Sequence, residues 1–388
     1  MTTATPFARP LYVMLKPVGA ACNLQCRYCY YLEKGSMYDG HGVMSDELLE
    51  LFVRQYLEAQ TQPEVLFTWH GGEPLLLPLS FYRKALLLQR QYARGRHIDN
   101  CLQTNGTLLT DEWCEFLKEN NFLVGISIDG PQECHDHYRQ TRGGKPTWSE
   151  VMRGIELLDK HGVEWNAMAT VNAANADKPV AFYRFFRDMD CQFLQFTPVV
   201  ERDSKGVVTD YSVTPAQWGN FLCAVYDEWV RRNVGQVFVQ TFDATLANWV
   251  GVMPGVCSLS GMCGHAAVME HNGDVYSCDH FVYPEHLLGN IRQQTLTGML
   301  YGKRQRAFAA MKTGGLPRQC RECQWLFACH GECPKNRFAT DGYGEPGLNY
   351  LCAGYRQFFS HVTSDMDFMK AEIVAGRAPA NIMAHKAV

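Results

Sequence analysis

From residue 11 to about residue 198, short apolar runs alternate with amphipathic stretches. The runs at 12–15, 65–69, 98–103, 123–128, 164–171 and 193–197 read as strands. Helical periodicity fills the intervals at 46–59, 80–92, 111–120, 148–161 and 178–188. Ser45 stands where an N-cap is wanted, and Asp46 and Glu47 suit the positive start of the first helix. Gly162 after His161 suits a helix C-terminus. Strand–helix repetition of this kind predicts an α/β fold with a parallel sheet and crossover helices. Six repeats fall short of a closed eight-stranded barrel, and chemistry is expected at the C-terminal ends of the strands. Residues 201–214 are polar and read as a loop, and 215–231 as a helix with aromatics on one face. Beyond Gln236 the alternation stops and cysteines become frequent, which puts the expected domain boundary near Gly235. The expected domains are thus 1–235 and 236–388, the second ending in a helix.

The 388 residues are enough for a full core, and their formal charge of −4 argues against a nucleic-acid surface. The N-terminus lacks the features of a signal peptide, and no apolar run approaches the ~20 residues of a membrane helix. A soluble, cytoplasmic protein is expected. The sixteen cysteines sharpen that picture, because dense, regularly spaced cysteines in a reducing compartment point to metal.

Cys22, Cys26 and Cys29 form C-x-x-x-C-x-x-C directly after the first strand. Three thiolates on one loop can hold three irons of a cubane cluster, leaving the fourth iron open to a small molecule. Tyr28 lies over the same loop. A structural zinc knuckle would want a fourth ligand nearby, and no His or further Cys occurs within ten residues of Cys29. His70-Gly-Gly-Glu-Pro74 follows the second strand, where Gly71 and Gly72 permit close backbone approach and Glu73 offers a carboxylate to an ammonium group. Gln103-Thr-Asn-Gly106 follows the third strand. Toward the C-terminus, Cys257, Cys263, Cys278, Cys320, Cys323, Cys329, Cys333 and Cys352 make two four-thiolate sites with none left over. Thiolate count and spacing suit zinc as well as iron–sulfur clusters.

The opening cysteine motif and the GGEP element resemble those of the radical S-adenosylmethionine (SAM) enzymes, and the C-terminal cysteines resemble their SPASM extension. The order Leu-Lys-Pro, C-N-L-x-C-x-Y-C-x-Y, GGEP, LQTNG, DGP, G-D-V-Y-S-C-D and L-N-Y-x-C is similar to the anaerobic sulfatase-maturating enzymes from about Leu11 to Phe359. That resemblance implies a partial (β/α)6 barrel with a SPASM domain, three [4Fe-4S] clusters and SAM. It implies SAM contacts at Tyr28, Gly71, Gly72, Glu73, Ser127 and Arg153. It assigns Cys257, Cys263, Cys278 and Cys333 to one auxiliary cluster and Cys320, Cys323, Cys329 and Cys352 to the other. Such crossing of a cysteine out of its own block has a parallel in two-cluster ferredoxins.

In that family the Asp after the hairpin cysteine, here Asp279, is the catalytic base, and the residue matching Tyr31 lies near the substrate. His70 stands where the family pattern has Gln; with Gln103 and Tyr31 it is an expected substrate contact. An imidazole there would make that contact pH-dependent. The implied reaction oxidises a Cys or Ser side chain of an unfolded or nascent sulfatase to Cα-formylglycine, with a flavodoxin or ferredoxin as electron donor. No nucleic-acid or membrane partner is expected. The rivals are another SPASM-type peptide modifier that forms thioethers or cross-links, and a non-enzymatic zinc scaffold binding a partner protein.

Overall fold

The helix starts follow local hydrogen-bonding chemistry. In the computed structural model, which describes residues 11–37, 42–264 and 266–386, Ser45 accepts from Leu48 N and opens helix Asp46–Ala59. Thr110 caps Asp111–Glu119. Thr214 and Gln217 form a reciprocal capping box at the head of Pro215–Arg232. Helix Trp148–His161 stops where Gly162 takes a left-handed conformation, φ 64°. These elements match the periodicity to within a residue or two at each end.

The strands are β1 (Tyr12–Lys16), β2 (Glu64–Trp69), β3 (His97–Thr104), β4 (Phe122–Ser127), β5 (Trp165–Val171), β6 (Phe193–Pro198), β7 (Phe238–Val239), β8 (Ala266–Glu270), β9 (Asp274–Tyr276) and β10 (Leu287–Asn290). The chain divides into two compact units, each assembled from several segments. One comprises the chain up to Ser127, Arg139–Trp165 and Cys263–Ala310. In it, β1 to β4 run parallel in sequence order. β8 lies parallel on the other flank of β1, followed by antiparallel β9 and β10. Pairing with β8 sets Lys16 opposite Glu270, a neighbour relation that periodicity cannot reveal.

The other unit comprises Ile128–Tyr138, Asn166–Met262 and Met311–Val388. Its parallel strands β5, β6 and β7 carry helices 215–232 and 240–250. Helix Cys352–Val374 packs on both of these helices through Tyr355, Phe358 and Phe359. Its contact with Pro215–Arg232 is close enough to need glycine on both sides: a Cβ on Gly354 would lie 2.2 Å from Pro215 O, and one on Gly219 would lie 2.9 Å from Gly354 Cα. No described helix is long and apolar enough to cross a membrane.

Candidate active site

The loop of Cys22, Cys26 and Cys29 leaves the C-terminal end of β1, and its backbone is tied down on every side. Gln25 N donates to Gln140 O at 2.8 Å and Arg142 Nη2 to Cys22 O at 2.9 Å. Asn105 Nδ2 donates to Asn23 Oδ1 at 2.9 Å and reaches Cys22 Sγ at 3.8 Å. Burial pushes the Cys22 thiol up to about 11, against the bond from Leu24 N that favours its thiolate. A cationic iron site is what would ionise it. Tyr28 is buried, with the Arg139 guanidinium 5.5 Å from its ring centroid.

The Gly-Gly-Glu-Pro turn is laced to this loop. Gly72 N donates to Gly19 O at 2.7 Å and Glu73 N to Ala21 O at 2.8 Å. A Cβ on Gly72 would lie 2.0 Å from Ala21 O, so this glycine is required by the cysteine loop itself. Gly71 has φ +150°, and a Cβ on it would lie 3.3 Å from Gly19 O. The Glu73 carboxylate is wholly buried and accepts from Leu75 N, Thr104 Oγ1 and Asn105 N at 2.7–2.9 Å. Burial pushes its pKa up to about 7 against those donors. The carboxylate fastens the turn to Thr104 and Asn105, and through Asn105 to the cysteine loop.

At the ends of β3 and β4, Gln103 Nε2 donates to Ser127 Oγ at 3.1 Å, which joins two of the expected ligand contacts. Arg153 Nη2 donates to Thr107 O at 2.8 Å.

His70 is half-buried, and its Nδ1 accepts from Gly71 N at 2.8 Å. Burial, then the nearby Lys16 charge, lowers its pKa to about 4. The expected titration near neutrality is corrected; the imidazole is neutral there, with Nε2 as its donor.

The β8–β9 hairpin turns at Gly273, φ +92°, and delivers Cys278 and Asp279 to the same unit as the first three cysteines. Tyr30, the residue after Cys29, donates to Asp279 Oδ2 at 2.7 Å. Burial alone would raise the Asp279 pKa. His280, Lys16 and the Tyr30 bond outweigh it and hold the carboxyl well below the usual range. Tyr31 is also buried; its hydroxyl donates to Glu270, and Lys16 Nζ lies 3.4 Å from its ring centroid. Asn105, Tyr30, Lys16 and Glu270 were not singled out as site residues from the sequence. Lys16 in Leu-Lys-Pro, Tyr30 in the cysteine motif and Asn105 in Leu-Gln-Thr-Asn-Gly lay within recognised patterns, and Glu270 did not.

In the other unit, Cys320, Cys323, Cys329 and Cys352 line one pocket with Tyr355 and Phe359. Among the described residues, no three His, Cys, Asp or Glu converge on a single ion. Four thiols around one pocket are a donor set that suits a thiolate-held metal centre. Cys257 and Cys333 belong to this unit and Cys263 and Cys278 to the first. Burial, then Glu332, then Cys257 raise the Cys333 thiol, so Cys333 stands within electrostatic reach of Cys257.

A radical SAM superfamily model matches residues 17–186, and a SPASM iron–sulfur cluster-binding domain model matches residues 260–324. A serine-type anaerobic sulfatase-maturating enzyme of Bacteroides thetaiotaomicron is 61% identical, covering 98% of this chain and 96% of its own. A cysteine-type enzyme of Clostridium perfringens is 34% identical, covering 91% and 96%. The native anSMEcpe structure with bound AdoMet and Cp18Cys peptide superposes with a TM-score of 0.85 at 32% identity, covering 94% of this chain and all of that one. The fold is the radical SAM fold, a parallel-sheet α/β core with a SPASM domain. The chain belongs to the anaerobic sulfatase-maturating enzymes of the radical SAM superfamily.

Proposed function

We propose that the chain oxidises a Cys or Ser side chain of a sulfatase polypeptide to Cα-formylglycine, and that Asp279 removes the thiol or hydroxyl proton. The observation that carries this reading is the Tyr30–Asp279 hydrogen bond. It joins the residue after the last cysteine of the first loop to the residue after the hairpin cysteine, so the base is fixed beside both ligand loops. When bound, the clusters and SAM supply a carbon-centred radical that takes a hydrogen atom from the substrate Cβ, and a sink for the second electron.

The chain's own residues position and exclude. Cys22, Cys26 and Cys29 would hold the SAM-binding cluster, and the eight C-terminal cysteines would hold two auxiliary clusters in the partition given above. Tyr28, Gly71, Gly72, Ser127 and Arg153 shape the SAM site. Glu73 belongs to the same SAM site and also fixes the turn. Tyr30 aims the Asp279 carboxylate, leaving its other oxygen, Oδ1, toward Cys278. Tyr31, His70 and Gln103 contact the substrate, His70 as a neutral donor. Loss of Cβ–H as a hydrogen atom, of the hydroxyl proton to Asp279 and of one electron gives the aldehyde from Ser. Cys gives a thioaldehyde that water hydrolyses. An unfolded or nascent sulfatase in the cytoplasm is the substrate, and a flavodoxin or ferredoxin the electron donor.

The test is anaerobic incubation with SAM, a reductant and paired peptides carrying Ser or Cys in the sulfatase motif, read by mass. Formylglycine with matched 5′-deoxyadenosine supports the reading. SAM cleavage with an intramolecular thioether or cross-link instead would assign the chain to another peptide modification.

A further inference from the structure

Near the end of helix Lys303–Gly314, Lys312 is wholly buried in the cysteine-rich unit. A buried ammonium costs several kcal/mol unless its donors and charge are both answered. Its donors are answered by Cys257 O at 2.9 Å and Ser258 O at 2.7 Å, on the loop that presents the Cys257 thiol. Its charge is not answered by these bonds, because both acceptors are neutral carbonyls. The field of the ammonium reaches the Cys333 sulfur as well.

The loop itself is braced by other means. Between Cys329 and Cys333 the chain runs through three left-handed residues, His330, Gly331 and Glu332, with φ of 50–72°. Arg337 clamps that stretch through the carbonyls of all three and also holds Lys312 O. The buried Glu332 carboxylate, held by Asn336 and Asn349, stands within electrostatic reach of both Cys329 and Cys333, so it biases both thiolate sets. The Lys312 ammonium, by contrast, donates to the Cys257 loop, and no other cysteine loop among the described residues accepts from it.

We propose that Lys312 raises the reduction potential of the auxiliary cluster that Cys257 and Cys333 help to hold, making that cluster the better acceptor for the electron leaving the substrate. A cation beside a cluster stabilises its more negative, reduced form, and net charge together with hydrogen bonding sets cluster potentials. The proposal rests on the reading that these thiolates hold an iron–sulfur cluster. Lys312 is a positioning residue: it acts on the electron sink and touches no substrate.

The test uses the reconstituted full-length protein and its Lys312→Arg, Lys312→Gln and Lys312→Met variants. Iron and sulfide are counted, and the potential of each cluster is followed by electron paramagnetic resonance. With iron complete, the Gln and Met variants should move one auxiliary midpoint to more negative potential, leaving the other auxiliary cluster and the SAM-binding cluster in place. Lys312→Arg should stay at the wild-type value. Unchanged midpoints in an iron-complete Gln or Met variant overturn the proposal. So does loss of iron from both, which would make Lys312 a strut for the Cys257 loop. Cys257→Ala is the separating control: if it removes no iron, the ligand assignment has failed, and the electrostatic inference falls with it.

Discussion

Gly72→Ala is the most demanding test of how the SAM-binding loop is built. The added methyl carbon would lie 2.0 Å from Ala21 O, 2.5 Å from Ala21 C and 2.7 Å from Ala20 C, all backbone atoms. Nonbonded carbon contacts settle at about 3.5–4.0 Å, so the loop or the turn must move by about an ångström or more. That movement strains two bonds, Gly72 N to Gly19 O and Glu73 N to Ala21 O, each worth about 1 kcal/mol net. Overpacking adds about 1–3 kcal/mol. The sum, about 3–5 kcal/mol, is below the ~5–15 kcal/mol that holds a typical domain together. The variant should therefore fold while its Cys22 loop is displaced. Anaerobic reconstitution should show loss of one cluster's iron and of SAM cleavage, with the auxiliary spectra retained. Gly354→Ala is the control for mere destabilisation. Its Cβ meets Pro215 O at 2.2 Å in the other unit, and its folded fraction should still cleave SAM. A Gly72→Ala protein with full iron and wild-type SAM cleavage would refute the reasoning.

Three further outcomes are expected. Asp279→Asn should still form 5′-deoxyadenosine while peptide oxidation falls by about two to four powers of ten, the usual cost of a lost general base; a near-wild-type yield of formylglycine would send the proton elsewhere. Cys333→Ala and Cys329→Ala should damage different clusters, and identical iron–sulfur spectra from the two would overturn the proposed partition. The depressed His70 pKa means that the unfolded chain binds the extra proton first as pH falls from about 6.5. His70 thus contributes stability that is present above that pH and is lost as pH falls toward about 4, so urea midpoints of His70→Gln should fall less steeply there than those of wild type. From pH 6 to 8 the substitution should not alter the shape of the activity profile.

Much of the α/β core was legible because its signals are local. Ser45, Thr214 and Gly162 act within one helical turn, and the apolar periods set each element's buried face. The cysteine motifs stood out for the same reason, since their members are close in sequence. Contacts across the sheet were not legible. Nothing in the run Ala266–Glu270 says that it will lie beside β1, yet that pairing sets Lys16 opposite Glu270. Asn105 looked like part of a polar turn, and its bond to Asn23 needs β3 to end where the cysteine loop passes. Glu73 was read as a ligand group from its place in the Gly-Gly-Glu-Pro element. Its bonds to Thr104 and Asn105, which tie the turn to the end of β3, were not legible.

The pairing of β8 with β1 also explains why two adjacent tyrosines have different tasks. Tyr30 and Tyr31 meet edge to face at 5.7 Å and point to different carboxylates. Tyr31 enters a small apolar cluster with Val268, Tyr276 and Val282, where its hydroxyl reaches Glu270 and its ring faces Lys16. Tyr30 instead bonds Asp279 and meets the His280 ring at 4.7 Å, tilted by 43°. Lys16 is wholly buried, and its amine makes no hydrogen bond to any described residue; burial lowers its pKa against the pull of Asp279 and Glu270. The two loops that present Cys29 and Cys278 are thus joined by polar contacts that shielding from water makes strong. A substitution that loosens β8 from β1 should therefore disturb Asp279 and the first cysteine loop together, even when it touches neither.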